Sequence, residues 1–332
     1  MKMENTTASY VQLGPDEIIS SIESAGYSCD GNLFALNSYE NRVYRAGLSN
    51  GDAIVAKFYR PDRWPDSAIR EEHAFTIELA ENSLPVVAPI ANEDQETLMR
   101  HKQYRFALYP LQAGRPPELD NPGQLLELGR VMGRLHAIAA QSAFRHRPDI
   151  DIHMAGNSSS RYLLENEFIP GDLVQSYTTL SNDLFTRIQN CFERAGNFTT
   201  IRLHGDCHHG NILWHKDTPF ILDFDDALTG PAVQDLWMFL SGDVHYMTGI
   251  LSELLEGYTE YYAFNPGELN LIEALRTLRI INYAAWIARR WSDPAFPQAF
   301  PHFNTQHYWE DHILTLREQA AKMDEPALEW NR

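Results

Sequence analysis

The sequence feature that most constrains this chain lies between residues 202 and 237. His204-Gly205-Asp206 is followed by Asn211 in the pattern H-x-D-x-x-x-x-N, and Asp223 comes twelve positions after Asn211, at the end of a short apolar run. Short apolar runs bounded by turn residues are typical of buried strands. We therefore predict two paired strands, over 211–214 and 220–223, that bring the three polar side chains to one site.

These residue types suit one kind of chemistry. Phosphoryl transfer to a hydroxyl needs a carboxylate that orients the acceptor and takes its proton, together with oxygen ligands for Mg²⁺. Asp206 is the candidate catalytic base, whereas Asn211 and Asp223 supply the hard oxygen ligands that Mg²⁺ prefers. We interpret His204 as a buried histidine that braces the loop. The segment thus predicts a phosphotransferase site, with Asp223 also counted as catalytic.

A second candidate element lies near the N-terminus, where Lys57 is flanked by apolar residues of a predicted strand. A buried lysine is costly unless it is paired. The run around Lys57 resembles the strand lysine of protein kinases, which contacts the phosphates of the nucleotide and pairs with a glutamate of the following helix, so the resemblance implies both roles for Lys57. Glu72 is favoured over Glu71, because Phe75 and Leu79 mark its side of that helix as core-facing.

The secondary-structure pattern divides the chain into two lobes. We predict an α+β, bilobal arrangement, in which a β-rich lobe (1–110), a Pro/Gly hinge (111–117) and a mainly helical lobe (118–332) enclose a cleft. The first lobe is expected to contain a helix over 66–80 and strands over 33–36, 42–46, 53–59, 86–91 and 104–109. A ligand would then bind between the lobes.

Composition excludes several classes of protein. The net charge of −18 disfavours nucleic-acid and anionic-membrane partners, because affinity for phosphate backbones comes from clustered cations. Three cysteines are too few for a disulfide scaffold. The N-terminus has no apolar segment typical of a signal peptide, and no apolar run approaches the ~20 residues that span a bilayer. Cys207 adjoins Asp206, and from this adjacency alone comes the hypothesis that oxidation of Cys207 blocks activity.

With these motifs in view, the chain resembles the aminoglycoside phosphotransferase and choline kinase branch of the protein-kinase-like fold. H-G-D-x-x-x-x-N followed by two hydrophobic residues and Asp is that branch's form of the catalytic and metal loops, and Lys57 is similar to the V-A-I-K strand lysine of protein kinases. Longer strings are similar to bacterial stress-response members of the branch: 37–44, 57–64, 204–214, 225–238 and 289–297.

The resemblance implies an ATP- and Mg²⁺-dependent Ser/Thr protein kinase. It further implies a cytoplasmic monomer that acts in stress response and cell survival and transfers phosphate to a protein hydroxyl. Carried over by position, Asp206 is the proton acceptor and Asn211 and Asp223 bind Mg²⁺. Ser38 contacts ATP, and Lys57 anchors its phosphates.

Two departures from the kinase pattern accompany this resemblance. No G-x-G-x-x-G precedes the strand lysine, and the corresponding hairpin, 36–44, is rich in Asn and Ser. Asp225 stands where protein kinases have the glycine after the metal-binding aspartate, and a second metal role for it is the less favoured interpretation. Asp235 matches the fold's buried aspartate that holds the catalytic loop by hydrogen bonds.

Other functions remain open from the residues alone. A small-molecule phosphotransferase acting on an aminoglycoside, a sugar or an amino alcohol would keep every catalytic residue and differ only in its acceptor pocket. A non-catalytic nucleotide-binding module is disfavoured, because the base and both metal ligands are present. An iron site built on His204 and Asp206 and a zinc site built on His204 and His208 leave Asn211 and Asp223 without a use.

Overall fold

The computed structural model describes residues 13–150 and 152–330. Its N-terminal part is a five-stranded antiparallel sheet, in the order β1-β2-β3-β5-β4, with two helices. The N-terminal segment from which we predict the lack of a signal peptide lies mostly outside the described residues. The elements of this part are α1 (Pro15–Ser24), β1 (Cys29–Leu36), β2 (Arg42–Leu48), β3 (Ala53–Phe58), α2 (Asp66–Glu81), β4 (Met99–His101) and β5 (Tyr104–Pro110).

The alternation of side chains along β3 explains why a lysine is buried in this sheet. Ile54, Ala56 and Phe58 point to one face and pack in the N-terminal core with residues of β5. Lys57 lies between them in sequence and therefore points to the opposite face, which turns toward the second lobe. The strand thus delivers an ammonium group to the cleft.

The segment 86–91 does not form a strand, so that prediction is wrong; only Ile90 pairs with this sheet, and its N–H donates to the carbonyl of Leu108 in β5 (2.7 Å). Pro85 precedes it and Pro89 interrupts it, and proline cannot donate a hydrogen bond to a sheet ladder. The segment instead connects the lobes: Val87 N–H donates to the carbonyl of Ile221 (3.0 Å), and Ile221 N–H donates back to the carbonyl of Pro85 (2.8 Å). The remaining strand of the sheet is β4.

The C-terminal part is mainly helical. Its helices are α3 (Pro122–Ala139), α4 (Ile152–Glu165), α5 (Val174–Ala195), α6 (Val244–Tyr258), α7 (Ile272–Arg289), α8 (Ala295–Ala299) and α9 (Gln306–Asp324). Two small antiparallel sheets lie between α5 and α6, and they pair β6 (Thr200–Leu203) with β9 (Leu228–Pro231) and β7 (Ile212–His215) with β8 (Thr218–Ile221). The α+β, bilobal fold is therefore confirmed, and so is the predicted strand pair of the metal loop.

Close packing of α3 against α6 fixes the scaffold beneath that strand pair. A Cβ atom on Gly129 or Gly133 would collide with the carbonyl oxygens of Leu254 and Tyr258, respectively. The glycines therefore let the two helix backbones approach, and this brings His136 of α3 within hydrogen-bond distance of Tyr258 (2.8 Å). No helix among the described residues is both long and apolar enough to cross a bilayer.

Candidate active site

A buried carboxylate fixes the backbone of the loop that follows β6. Asp235, fully buried, accepts hydrogen bonds from the backbone N–H groups of His204 (2.7 Å) and Gly205 (2.8 Å). The imidazole of His136 lies 3.3 Å from the same carboxylate. This is the structural role expected for Asp235, because its two oxygens fix the backbone just ahead of Asp206.

His204 and Gly205 shape the same loop. The His204 ring is fully buried, and its Nε2 atom lies 2.7 Å from the carbonyl oxygen of Leu222, so the predicted bracing role is confirmed. Gly205 has a φ of +87°, which disfavours any side chain. An added Cβ would also collide with the carbonyl oxygen of Asp226, so only glycine fits at this position.

Asp206 and Asn211 are joined by a short loop. The side-chain amide of Asn211 donates to the backbone carbonyl of Asp206 (3.0 Å). The backbone carbonyl of Asn211 accepts from Leu222 N–H (2.9 Å). Because Leu222 directly precedes Asp223, these bonds bring all three predicted side chains to the same edge of the β7–β8 pair.

The Asp206 carboxylate faces two basic side chains. One oxygen is ion-paired with Arg279 of α7, and the other lies 3.5 Å from Nε2 of His208. Burial lowers the pKa of His208, and the carboxylate of Asp206 only partly opposes this effect. Arg279 was not predicted from the sequence, since its position on a helix 73 residues away carries no motif.

Asp223 contacts the lysine of the other lobe. Its backbone adopts the left-handed conformation (φ 60°, ψ 67°) at the end of β8, and its carboxylate oxygen lies 2.7 Å from Lys57 Nζ. A second oxygen, from Asp225, lies 3.4 Å from the same nitrogen. Burial opposes the charge on Lys57, but the two aspartates outweigh it and hold the pKa of the ammonium well above its usual value. The side chain of Asp223 is still 52% exposed and therefore accessible to a ligand.

Glu72 is buried as predicted, but Lys57 does not form an ion pair with it among the described contacts. Asp223 and Asp225 lie directly at the ammonium, whereas Glu72 accepts a hydrogen bond from Thr76 (3.4 Å) and lies 3.6 Å from His73. Burial raises the pKa of Glu72 to about 7. The expectation of a direct partner for Lys57 on α2 is therefore wrong for this conformation, although the negative charge of Glu72 still favours the ammonium.

Asp225 is enclosed by basic and polar groups from the N-terminal lobe. Arg63 binds both Asp225 and Asp226, and the Asn41 amide donates to Asp225 at 3.1 Å. Burial opposes ionisation of Asp225, but Lys57 and Arg63 lower the pKa of its carboxyl group below the usual value. Its oxygens are thus used by the protein, and nothing in the geometry favours a metal role for Asp225.

The hairpin turn between β1 and β2 reaches over to the helical lobe. Ser38 lies in this turn, half-buried, and makes no hydrogen bond to the other candidate residues among the described contacts. Its neighbour Glu40 is bound on both sides: one carboxylate oxygen lies 3.2 Å from Arg60 Nε, and the other lies 2.5 Å from Arg290 and 2.6 Å from Trp286 Nε1. The Glu40 carboxylate thus connects the hairpin turn to α7 of the helical lobe.

Comparison with known proteins agrees with this geometry. Residues 34–272, which include every site residue predicted from the sequence, match the model of the phosphotransferase enzyme family. The chain belongs to the phosphotransferase enzyme family. It is 40% identical over 98% of both chains to stress response kinase A of Escherichia coli K12, and 39% identical over the same shares to a protein named serine/threonine protein kinase RdoA of Salmonella typhimurium. The expected similarity to stress response kinase A is thus confirmed.

Solved structures of the same fold are more distant in sequence. An aminopropanol kinase superposes with a TM-score of 0.69 at 17% identity, covering 92% of this chain and 96% of its own. An amicoumacin kinase, solved with AMP-PNP and Ca²⁺, superposes with a TM-score of 0.66 at 17% identity, covering 90% of this chain and 94% of its own. At these identities the likeness shows the fold of the phosphotransferase.

The donor set of the phosphotransferase fits Mg²⁺. Asn211 and Asp223 offer an amide and a carboxylate oxygen at adjacent strand ends, and no group of three or more His, Cys, Asp or Glu suited to a metal occurs within the described residues. Mg²⁺ is usually bound by one or two protein oxygens, with phosphate and water completing its octahedron. Zinc and iron sites need more nitrogen, sulfur or carboxylate ligands than this site provides.

Cys207 is not placed to act as a redox sensor. Its side chain is fully buried, and its sulfur lies 3.9 Å from that of Met132. Burial raises the pKa of the thiol well above its usual value, with the charges of Asp235 and Asp206 adding to the effect. Because oxidation requires an accessible thiolate, the hypothesis drawn from its position beside Asp206 is wrong.

Proposed function

We propose that this phosphotransferase is an ATP- and Mg²⁺-dependent Ser/Thr protein kinase. The observation that carries the proposal is the junction of the two lobes, where Lys57 and Asp223 meet beside the Asp206–Asn211 loop. The name of a relative that matches 98% of the chain supports a protein acceptor. Relatives named for stress response support a role in that process.

The nucleotide would bind between the lobes. Lys57 contacts the phosphates, and Asn211 and Asp223 hold the metal ion, while Ser38 and its turn lie over the phosphates. Asp223 and Asp225 keep Lys57 protonated, and the ionised form of Glu72 adds to their effect. When bound, Mg²⁺ neutralises the charge that develops between the transferring and leaving phosphate groups.

Asp206 is the residue that faces the acceptor. In this mechanism its carboxylate accepts a hydrogen bond from the Ser or Thr hydroxyl, orients the oxygen for in-line attack and takes its proton. As the new P–O bond forms, the bond between the γ-phosphorus and the bridging oxygen breaks and ADP leaves with the electron pair. The hydrogen bonds of Asp235 and Asn211 to the same loop hold its backbone in place. Such positioning accounts for much of the rate of phosphoryl transfer.

The wider features of the proposal follow the relatives. We assign residues 1–110 to the nucleotide-anchoring lobe, 111–117 to the hinge and 118–332 to the lobe that carries the catalytic and metal loops. We also propose a cytoplasmic monomer that has ATP and a protein as its partners. The acidic charge of the chain disfavours a nucleic-acid or anionic-membrane partner.

The test is transfer of the γ-phosphate from labelled ATP with Mg²⁺, comparing wild type with Asp206→Asn. The acceptors are a generic protein, the enzyme itself and a panel of small hydroxyl compounds. We expect label on seryl or threonyl residues with wild type and none with the variant, which controls for contaminating kinases. Label on small molecules alone would contradict the proposal.

A small-molecule phosphotransferase is the second candidate. The observation in its favour is that the solved structures of this fold include enzymes named for aminopropanol, amicoumacin and spectinomycin. The same panel separates the two functions, because the catalytic residues are shared and only the labelled acceptor differs.

A further inference from the structure

We propose that Arg279 determines acceptor specificity, and that it selects a Ser or Thr whose neighbouring residues are acidic. The inference rests on the proposed function, since it names the class of protein segment that the same site phosphorylates. It is carried by the contact between Arg279 and Asp206 and by the exposed aromatic surface beside that contact.

Arg279 occupies the place where the acceptor must bind. Its guanidinium is paired with one oxygen of Asp206, and its side chain is 44% exposed, so this is not a buried structural ion pair. The other Asp206 oxygen lies 3.5 Å from His208. An acceptor hydroxyl that approaches the carboxylate therefore arrives within reach of a fixed positive charge.

Competition between Arg279 and the acceptor hydroxyl for the Asp206 carboxylate explains why an acidic acceptor would be preferred. When the hydroxyl binds to Asp206, the guanidinium loses part of its partner. An acidic group on the acceptor replaces that partner, because carboxylates and phosphates match the planar donor pattern of arginine. A cationic acceptor offers no replacement and places like charges together, which is unfavourable at close range.

The surface next to Arg279 suits an extended protein segment. Tyr283 and Trp286 follow Arg279 at positions +4 and +7 of α7, so all three lie on one side of the helix. Tyr283 stacks on Trp286 with ring centroids 5.6 Å apart, and Tyr39 of the hairpin turn lies 6.5 Å from Trp286. Because Tyr39 and Tyr283 are 52% and 48% exposed, this aromatic surface is open to a ligand.

The same arrangement disfavours the acceptor named for one structural relative. An aminopropanol carries an amine that is protonated near neutral pH. With its hydroxyl on Asp206, this positive charge would lie close to that of Arg279. The positive charge of Arg279 would therefore disfavour amino-alcohol acceptors. It would also favour protein acceptors with acidic residues around the Ser or Thr.

The experiment uses a library of Ser/Thr peptides in which the flanking positions are either Asp/Glu or Lys/Arg. We expect wild type to favour the acidic set by about tenfold or more in kcat/KM, and Arg279→Glu to reverse the preference. Arg279→Lys should still favour the peptides with acidic flanking residues. Arg317→Glu, a charge reversal at an exposed arginine of α9, is the matched control and should behave as wild type. Thermal melts confirm that each variant folds.

Two results for Arg279→Glu would overturn the inference. One is an unchanged peptide preference. The other is an equal rise in transfer to every peptide, which would mean that Arg279 slows transfer without selecting the acceptor. A separate assay tests the proposed function itself, with an anionic and a cationic small molecule, glycerol 3-phosphate and ethanolamine, as acceptors. Transfer to glycerol 3-phosphate alone would reject the protein kinase and retain anion selection. Transfer to ethanolamine alone, or no transfer to any acceptor, would reject both.

Discussion

Lys57 Nζ and Asp223 Oδ1 lie 2.7 Å apart, although the two residues are separated by 166 positions and belong to different lobes. The strand lysine is delivered to the cleft by β3, and the aspartate by the end of β8. Because the two residues touch across the cleft, the geometry of the active site depends on how the two lobes are positioned relative to each other. Phosphate binding and metal binding should therefore depend on each other.

Removal of the lysine tests this dependence. Lys57→Met retains the apolar stem but leaves Asp223 and Asp225 without the ammonium, so we expect ATP affinity to fall by about tenfold or more. Isothermal titration calorimetry with Mg²⁺ measures the change. Lys102→Met is the control, because Lys102 pairs with Glu17 on the surface of the same lobe. Equal ATP affinity in wild type and Lys57→Met would contradict the assigned contact.

The carboxylate beneath the catalytic loop should be important for stability. Asp235→Ala leaves two buried backbone N–H groups and His136 without their acceptor, and we expect it to lower the free energy of unfolding by about 3–5 kcal/mol. Asp243→Ala removes only an exposed helix cap (2.8 Å to Tyr246 N–H) and should cost about 1 kcal/mol. Denaturant unfolding compares them. Equal losses would show that Asp235 does not hold the loop.

Two buried glutamates should make stability fall as the pH rises. Burial raises the pKa of Glu72 and of Glu268 to about 7, from 4.5 in the unfolded chain. Because the folded state holds the proton more tightly, this stabilisation is complete below pH 4.5 and is lost as the pH rises through 7. For Glu72 the total is about 3 kcal/mol.

Substitution by glutamine removes each titration. Glu72→Gln and Glu268→Gln should each flatten the decline of the unfolding free energy between pH 5 and pH 8, and the double variant should flatten it most. Urea unfolding at several pH values measures the slope. A slope in Glu72→Gln as steep as in wild type would contradict the raised pKa of that residue.

The carboxylate of Glu40 should keep the hairpin turn ordered. In Glu40→Gln the cations Arg60 and Arg290 lose an ionised partner, so residues 37–41 should open more often and ATP should bind several-fold more weakly. Hydrogen exchange reports the opening. Glu81→Gln, at an exposed end of α2, is the control. Unchanged hydrogen exchange in residues 37–41 would show that the charge of Glu40 has no effect on the opening of the turn.

The sequence predicted the parts of the site that local patterns determine. The spacing between Asp206, Asn211 and Asp223 is a property of one loop and one strand pair, so it could be interpreted without knowledge of the fold. Lys57 was identified because an apolar strand around a lysine is unusual. The buried positions of His204 and Asp235 follow from the same segment.

The partners supplied by distant elements could not be predicted in this way. Arg279 reaches Asp206 from α7, and Arg63 reaches Asp225 from the loop before α2, and neither position carries a periodic signal. The carboxylate nearest to Lys57 was misplaced on α2, because helix periodicity shows which side is buried but not which of several acids lies closest to an ammonium. Those distances are set by how the lobes meet.

The most direct test of the central claim compares phosphoryl transfer with nucleotide binding in Asp206→Asn. This change keeps the shape of the side chain and removes its capacity to take a proton. We predict that transfer to the acceptor falls by about 100-fold or more, while the Kd for Mg²⁺–ATP stays within about threefold of wild type. Transfer at the wild-type rate, or loss of ATP binding, would contradict the role of Asp206 as the catalytic base.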